Sequence, residues 1–327
     1  MIKMQGLAGL VAVMFCLPAA WAPSVLAQAN YPDRPIRVIV PFAPGGGADI
    51  TARFVSARLS DRFGQPAVID NRTGASGNIA ADMVAKAAPD GHTLLLVFSS
   101  HAQSAQLFTK LTYDIVRDFA PISMVSETPP VLVLHPSVPA KTVRELIAYA
   151  KDNPGKLNYG TSGPGTPPHL ETELFNSMAG IRMTHVPYKG SAQYILAQLG
   201  NEIQVSFTSI VTIIPHWKSG RLQLLASGGT KRSQVLPDIP TIAEAGLPGY
   251  EAYIWYGFMA PAKTPRPIVE KLHKEIAAIA RSAEARQNFL AQGNDPVGNT
   301  PAEFAAFIKL EAEKWGAIGK RLGIKLE

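Results

Sequence analysis

The chain has 327 residues, 46% of them hydrophobic, enough to bury a large core and long enough to favour two domains over one. Its 31 Lys and Arg against 25 Asp and Glu give a net charge of +6, a mild excess without an extended basic run, which suits small anions better than nucleic acid. The single cysteine, Cys16, lies in the N-terminal segment, so the rest of the chain has no thiol for disulfides, Cys-ligated metals or a Cys nucleophile.

Lys3, then an uncharged apolar run from Leu7 to Leu17, then small residues, read as a secretory signal peptide over residues 1–29. An A-x-A site at Ala27-Gln28-Ala29 competes with Val25-Leu26-Ala27, so the mature chain is expected to start at Asn30 or Gln28. The apolar run falls short of the roughly 20 residues a bilayer needs, and Pro18 and Pro23 interrupt its end. Val13-Met14-Phe15 lacks the small residue that lipoprotein processing wants before a cysteine, so no lipid anchor is expected at Cys16.

Beyond it the pattern predicts a strand over Ile36 to Pro41, a glycine loop, a helix from Ala48 to Phe63 and a strand over Ala67 to Asp70. Strand, helix, strand is the unit of a parallel sheet with covering helices. A helix over Gly77 to Ala87, a strand over His92 to Phe98 and a helix after His101 continue it. A β-rich run at Val131 to Leu134 opens a second series: helix Val143 to Asn153, strand Lys156 to Tyr159, glycine loop, helix Pro168 to Ala179. Thr142, Thr241 and Thr300 each stand three residues before a glutamate, the signature of a capped helix start. The chain ends in helices over Pro267 to Arg281 and Pro301 to Arg321. Crossings between halves are placed near Pro130 and Tyr250, giving one discontinuous domain of 30–130 plus 251–327 and a second of 131–250.

Two loops carry the chemistry. Pro41-Phe42-Ala43-Pro44-Gly45-Gly46-Gly47-Ala48-Asp49 lies between a strand and a helix, where glycines let backbone N–H groups converge at a helix N-terminus that favours negative charge. The alternative is a plain tight turn. The spacing fits neither a P-loop nor a dinucleotide fingerprint. Gly46 is where a side chain is expected to block the approach of a carboxylate. The second loop, from Tyr159 to His169, offers the hydroxyls of Thr161, Ser162 and Thr166 around Gly163 and Gly165. Ser99-Ser100-His101, at the end of a strand, is either a third contact or a helix cap. Asp49 reads first as a first-turn carboxylate of its helix and only second as a base; His101 and His169 have no sequence-level catalytic partner. No H-E-x-x-H, G-x-S-x-G or Asp-rich metal loop is present, so neither metal, cofactor nor catalysis is implied.

The chain resembles the tripartite tricarboxylate transporter substrate-binding proteins, the Bug family. The matching segments are Tyr31-Pro-Asp-Arg-Pro-Ile36, the first glycine loop, Asp118-Phe-Ala-Pro121, Asn153-Pro-Gly-Lys-Leu-Asn-Tyr159, His185-Val-Pro-Tyr-Lys-Gly190 and Leu236-Pro-Asp-Ile-Pro-Thr-Ile-Ala-Glu-Ala-Gly246, in family order. The resemblance implies an α/β, type II periplasmic binding protein fold: two domains, two crossing segments and an interdomain cleft. It implies a ligand carboxylate at Ala43 to Asp49, closure of Thr161 to Thr166 with His169 following, and Tyr188, Gly190 and Ser191 at the cleft. For Tyr188 and Lys189 a structural turn is the alternative. Many relatives carry Asp where Thr208 stands, so a ligand ammonium loses its acceptor here. Trp255-Tyr256 either flanks the ligand or packs at the hinge.

The function so implied is periplasmic capture of a mono- or dicarboxylate, aromatic ones included, by a monomer. It would deliver its ligand to large and small integral-membrane transporter subunits. The alternative is a sensor lobe that presents the same ligand to a membrane receptor or two-component kinase.

Overall fold

A computed structural model of the chain describes residues 30–103, 105–233 and 235–326. The signal peptide and Cys16 lie outside the described residues. In order the elements are β1 (Ile36–Val40), α1 (Gly47–Phe63), β2 (Ala67–Asn71), a 3-10 turn (Ala75–Gly77), α2 (Asn78–Ala85), β3 (Thr93–Phe98), α3 (Ser99–Gln103) and β4 (Phe119–Thr128). Next come β5 (Val131–Leu134), α4 (Val143–Asp152), β6 (Asn158–Thr161), α5 (Pro167–Ala179), β7 (Thr184–Pro187), α6 (Ser191–Leu199), β8 (Val205–Thr208), α7 (Ile210–Lys218) and β9 (Gln223–Ser227). The chain finishes with β10 (Ile254–Pro261), α8 (Arg266–Ala280), α9 (Ala283–Ala291), β11 (Asp295–Pro296) and α10 (Pro301–Leu322).

The described strands form two sheets, β11-β4-β10-β3-β1-β2 and β7-β6-β8-β5-β9. Every strand of the second sheet lies between residues 131 and 227, and the first sheet is built from the chain on either side. The chain passes between sheets at Thr128 to Val131 and again between Ser227 and Ile254. Parallel pairs hold β1 to β2 and β3, and β6 to β7 and β8. The sheets are mixed rather than parallel throughout, because β10 returns antiparallel to β3 and β4, and β5 is antiparallel to β8 and β9. Both returning strands follow a crossing, so no covering helix dictates their direction.

Local chemistry explains most boundaries. In β3, Leu94 to Val97 are fully buried, as expected of a strand covered on both faces. Gly64, left-handed at φ 65°, ends α1. Thr142 accepts from the Glu145 N–H at the start of α4, and Thr300 with Glu303 forms a complete capping box before Pro301 of α10. Thr241 and Glu244 exchange the same reciprocal bonds, yet residues 242–246 form only a turn; the cap is present without the helix. Gly246, at φ 131°, lies where a helix would have to continue.

The last helix ties the halves together. Phe304, Ile308 and Ala312 sit in the core beneath the first sheet, whereas Trp315 and Ile318 of the same helix, and Leu326 beyond it, join the core of the second. The C-terminal residues thus pack against both sheets.

β10 is the central element of the first sheet. Its pairing with β4 slips between Tyr256 and Gly257 and between Phe258 and Met259, leaving Val125 and Ile122 of β4 as extra residues. Such bulges bend a strand and re-aim its side chains. At Gly257 a Cβ would sit 2.9 Å from the Ser123 carbonyl and press on the Phe304 ring. Gly257→Ala should therefore destabilise the fold by about 1–3 kcal/mol, lowering the melting midpoint by roughly 2–4 °C per kcal/mol. An unchanged midpoint in calorimetry would show that the strand yields freely there.

Candidate ligand-binding site

A cavity of about 800 Å3 is lined from both sheets. The first loop supplies Phe42, Ala43, Pro44, Gly45, Gly46 and Gly47; the second supplies Ser162 and Thr166; Ser100, Gly190, Ser191 and Thr208 complete the lining residues anticipated from sequence. The loops converge because each leaves the C-terminal end of a strand next to a parallel neighbour, β1 beside β3 and β6 beside β8.

Seven anticipated residues, Asp49, Ser99, His101, Thr161, Gly165, His169 and Tyr188, lie outside the lining. Most of them brace it from behind. Asp49 is 2% exposed and accepts from the Gly45 N–H (2.9 Å), Arg53 Nε (2.8 Å) and Asn71 Nδ2 (3.0 Å). Burial pushes its carboxyl up, but these donors outweigh burial and hold it below the usual value. Its lone pairs are spent on the loop. His169 does the same in the other half: its Nδ1 accepts from the Gly165 N–H at 3.1 Å. Thr161 accepts from the Gly163 N–H at 3.0 Å and meets His185 Nε2 at 2.6 Å, while the Tyr188 N–H donates to the Thr161 carbonyl.

Fully buried His101 bonds the Phe98 backbone through Nδ1 (N–H at 3.1 Å) and the Gly77 carbonyl through Nε2 (3.2 Å). Nδ1 also lies 3.0 Å from the Phe98 carbonyl, and burial lowers the pKa of the ring. Ser100 donates to the Ser76 carbonyl at 3.0 Å, and Ser99 is buried inside the turn.

The glycines divide their work differently from expectation. Gly46 has an ordinary φ of −82° and a Cβ there would meet only the Ala43 carbonyl at 3.8 Å. The constraint falls on its neighbours. Gly45 is left-handed at φ 86°, and a Cβ on Gly47 would lie 2.8 Å from the Tyr256 hydroxyl.

Sequence reasoning missed one wall altogether. Gly74, Ala75, Ser76 and Gly77 all have positive φ (123°, 47°, 57° and 98°), and Thr73, Gly74, Ser76 and Gly77 line the cavity. Left-handed Ala and Ser store strain of about 1–3 kcal/mol each, which the neighbouring Ser100 and His101 bonds hold in place. The Gly74-x-x-Gly77 pair ahead of a helix was the available signal. Tyr194, Ser209, Val211, Thr212, Ile254, Tyr256, Gln292 and Asn294 also line the site, from elements that only tertiary pairing brings there. Thr208 is fixed by Tyr194 Oη (3.0 Å) and Thr212 Oγ1 (2.9 Å).

Trp255 and Tyr256 point to opposite faces of β10, as strand neighbours must. Tyr256 lines the cavity, whereas Trp255 packs edge-on to Phe304 and Phe307 in the core. Among the described residues that line the cavity, Lys189 is the one that is charged, and none is Asp, Glu, Arg or His. Among the described residues no group of three or more His, Cys, Asp and Glu is placed to hold a metal.

Behind the second loop the rings of Tyr159, His185 and His169 stack, with centroids of the two histidines 4.4 Å apart. Burial pushes both histidines down to about 4, and the neighbouring His169 lowers His185 further. Between that value and the ordinary 6.5 the unfolded chain binds more protons, so the pair stabilises the fold above pH 6.5 and loses this contribution as pH falls toward 4. Glu171, held up at about 8 by burial and by Glu311, acts in the opposite sense. The contrast between chains isolates the histidines: from pH 7 to 4.5 the parent's melting midpoint should fall relative to that of His169→Gln. Parallel curves for the two proteins would remove His169 from the acid response.

The family model described as "Tripartite tricarboxylate transporter family receptor" matches residues 51–324. Protein BugT of Bordetella pertussis is 37% identical over 316 residues, covering 96% of this chain and 97% of that one. The solved structure of R. palustris Rpa4515 with adipate superposes with a TM-score of 0.82 at 37% identity, covering 90% of this chain and 99% of that one. MatC of Rhodopseudomonas palustris with bound malate gives 0.78 at 32% identity, with 88% and 99% covered. Periplasmic binding protein BugD gives 0.79 at 30% identity, with 91% and 100% covered. The mixed α/β, two-sheet architecture is thus that of the type II periplasmic binding proteins, and the chain belongs to the tripartite tricarboxylate transporter receptor family, the Bug proteins.

Proposed function

We propose that this chain is a periplasmic solute-binding protein that captures a small mono- or dicarboxylate in the cavity and delivers it to a membrane transporter with a large and a small integral subunit. The observation that carries the reading is the composition of the lining among the described residues: two glycine loops at helix N-termini, one lysine and no acidic side chain. Gly46 and Thr166, the N-caps of α1 and α5, make no side-chain cap bond to their helices. The first N–H groups of α1 stay available to an anion, whereas α5 opens with Pro167 and Pro168, which have none, so the second loop offers its hydroxyls instead. Adipate and malate in two solved relatives are small carboxylates of this kind.

In this reading the ligand-contacting residues are Phe42 to Gly47, Ser100, Ser162, Thr166, Gly190, Ser191 and Thr208, with the halves 30–130 plus 251–327 and 131–250 closing as jaws. Export follows from the signal pattern of residues 1–29. No helix among the described residues is long and apolar enough to cross a membrane. Binding without chemistry is supported by the use of His101 and His169 as neutral loop braces rather than bases.

A thermal-shift screen over carboxylates tests capture, since a ligand at 100 times its Kd stabilises a fold by about 2.7 kcal/mol. With no acid in the lining to receive an ammonium group, succinate should bind tighter than aspartate in calorimetric titrations. Tighter aspartate binding would refute the carboxylate-without-ammonium reading.

A further inference from the structure

Tyr256 has a hydroxyl that opens to the cavity and that no other described residue engages. The residue is 9% exposed and lines the cavity, yet its Oη makes no hydrogen bond among the described residues. Burial alone raises the phenol to about 12, so it is a neutral O–H donor at any physiological pH. Its oxygen stands over Gly47, the first residue of α1, close enough that only a glycine fits beneath it. An O–H donor and the uncapped N–H groups of a helix start thus meet at one place.

The ring behind that hydroxyl belongs to a continuous aromatic wall. Phe98, the last residue of β3, lies 5.3 Å from Tyr256 with the ring planes 32° apart, and meets Phe42 edge-on at 5.0 Å. All three rings line the cavity, with Ile254 and Val211 extending the apolar surface. Aromatic rings prefer to pack against other flat, unsaturated groups, a preference worth about 0.5–1.5 kcal/mol per pair beyond simple burial.

Building on the carboxylate reading above, we propose that Tyr256 donates its phenolic hydrogen to a ligand carboxylate seated at the N-terminus of α1, and that Phe42, Phe98 and Tyr256 select a carboxylate whose body is a flat aromatic ring. Terephthalate and adipate make a matched pair of probes, since in each a path of four carbons separates the two carboxylates, through a ring in one and a methylene chain in the other. Calorimetric titration of the parent protein should show terephthalate bound about tenfold more tightly than adipate, the range a single ring contact supplies. Tyr256→Phe keeps the ring and removes the donor, and should weaken both ligands about tenfold to a hundredfold, as loss of a hydrogen bond to a charged group does. Its unliganded melting temperature should hold or rise, because no protein hydrogen bond is lost; a purely structural tyrosine would behave in the opposite way. Phe98→Leu should reduce terephthalate affinity more than adipate affinity. Binding by the parent that Tyr256→Phe leaves within twofold, or a parent that prefers adipate, overturns the inference and leaves carboxylate capture standing. A parent that binds neither probe nor any other carboxylate of the thermal-shift screen overturns the carboxylate reading and the inference with it.

Discussion

The site rests on one hydrogen-bond arrangement that occurs twice. In each half a left-handed glycine donates its N–H to a side chain four residues later in the following helix: Gly45 to Asp49 and Gly165 to His169, at 2.9 and 3.1 Å. The bond locks a strand-to-helix turn so that the helix N-terminus faces the cavity while the accepting side chain faces the core. A carboxylate serves in one half and a neutral imidazole in the other. The choice has consequences: Asp49 keeps its charge through Arg53, whereas His169 must remain uncharged for its Nδ1 to accept.

Around these turns the fold places support rather than function. His101 and Ser100 hold the left-handed Gly74 to Gly77 segment, and Thr161 with His185 holds the start of the second loop. The strain of the 74–77 backbone is tolerable because the bonds from Ser100 and buried His101 over-determine it. Asp49, His101 and His169 are bonded to these loops, and the cavity lining is mostly backbone, hydroxyl and apolar ring.

The two halves are not independent bodies joined by loops alone. The C-terminal helix packs its early turns under the first sheet and its late turns under the second, and Leu326 pairs with residues near Phe108. Gly316 and Gly319 in that helix admit the Gln106 and Leu107 side chains where any Cβ would collide. This connection joins the two sheets in addition to the two strand crossings.

The sequence by itself determined the glycine loops, their positions between strand and helix, the caps at Thr142 and Thr300, the family and the absence of an acid at Thr208. Each is a local property, carried by residue type and spacing within a few positions. It did not reveal that Gly46 is the tolerant member of its triplet, that Asp49 and His169 turn inward, or that Tyr256 rather than Trp255 enters the cavity. Those outcomes depend on non-local pairing: the phase of β10 against β4 is set by extra residues at Val125 and Ile122, and a shift of one residue would send Trp255 to the ligand and Tyr256 to the core. Only the assembled sheet decides that phase, because strand side chains alternate and nothing within β10 itself says which face the other elements will cover.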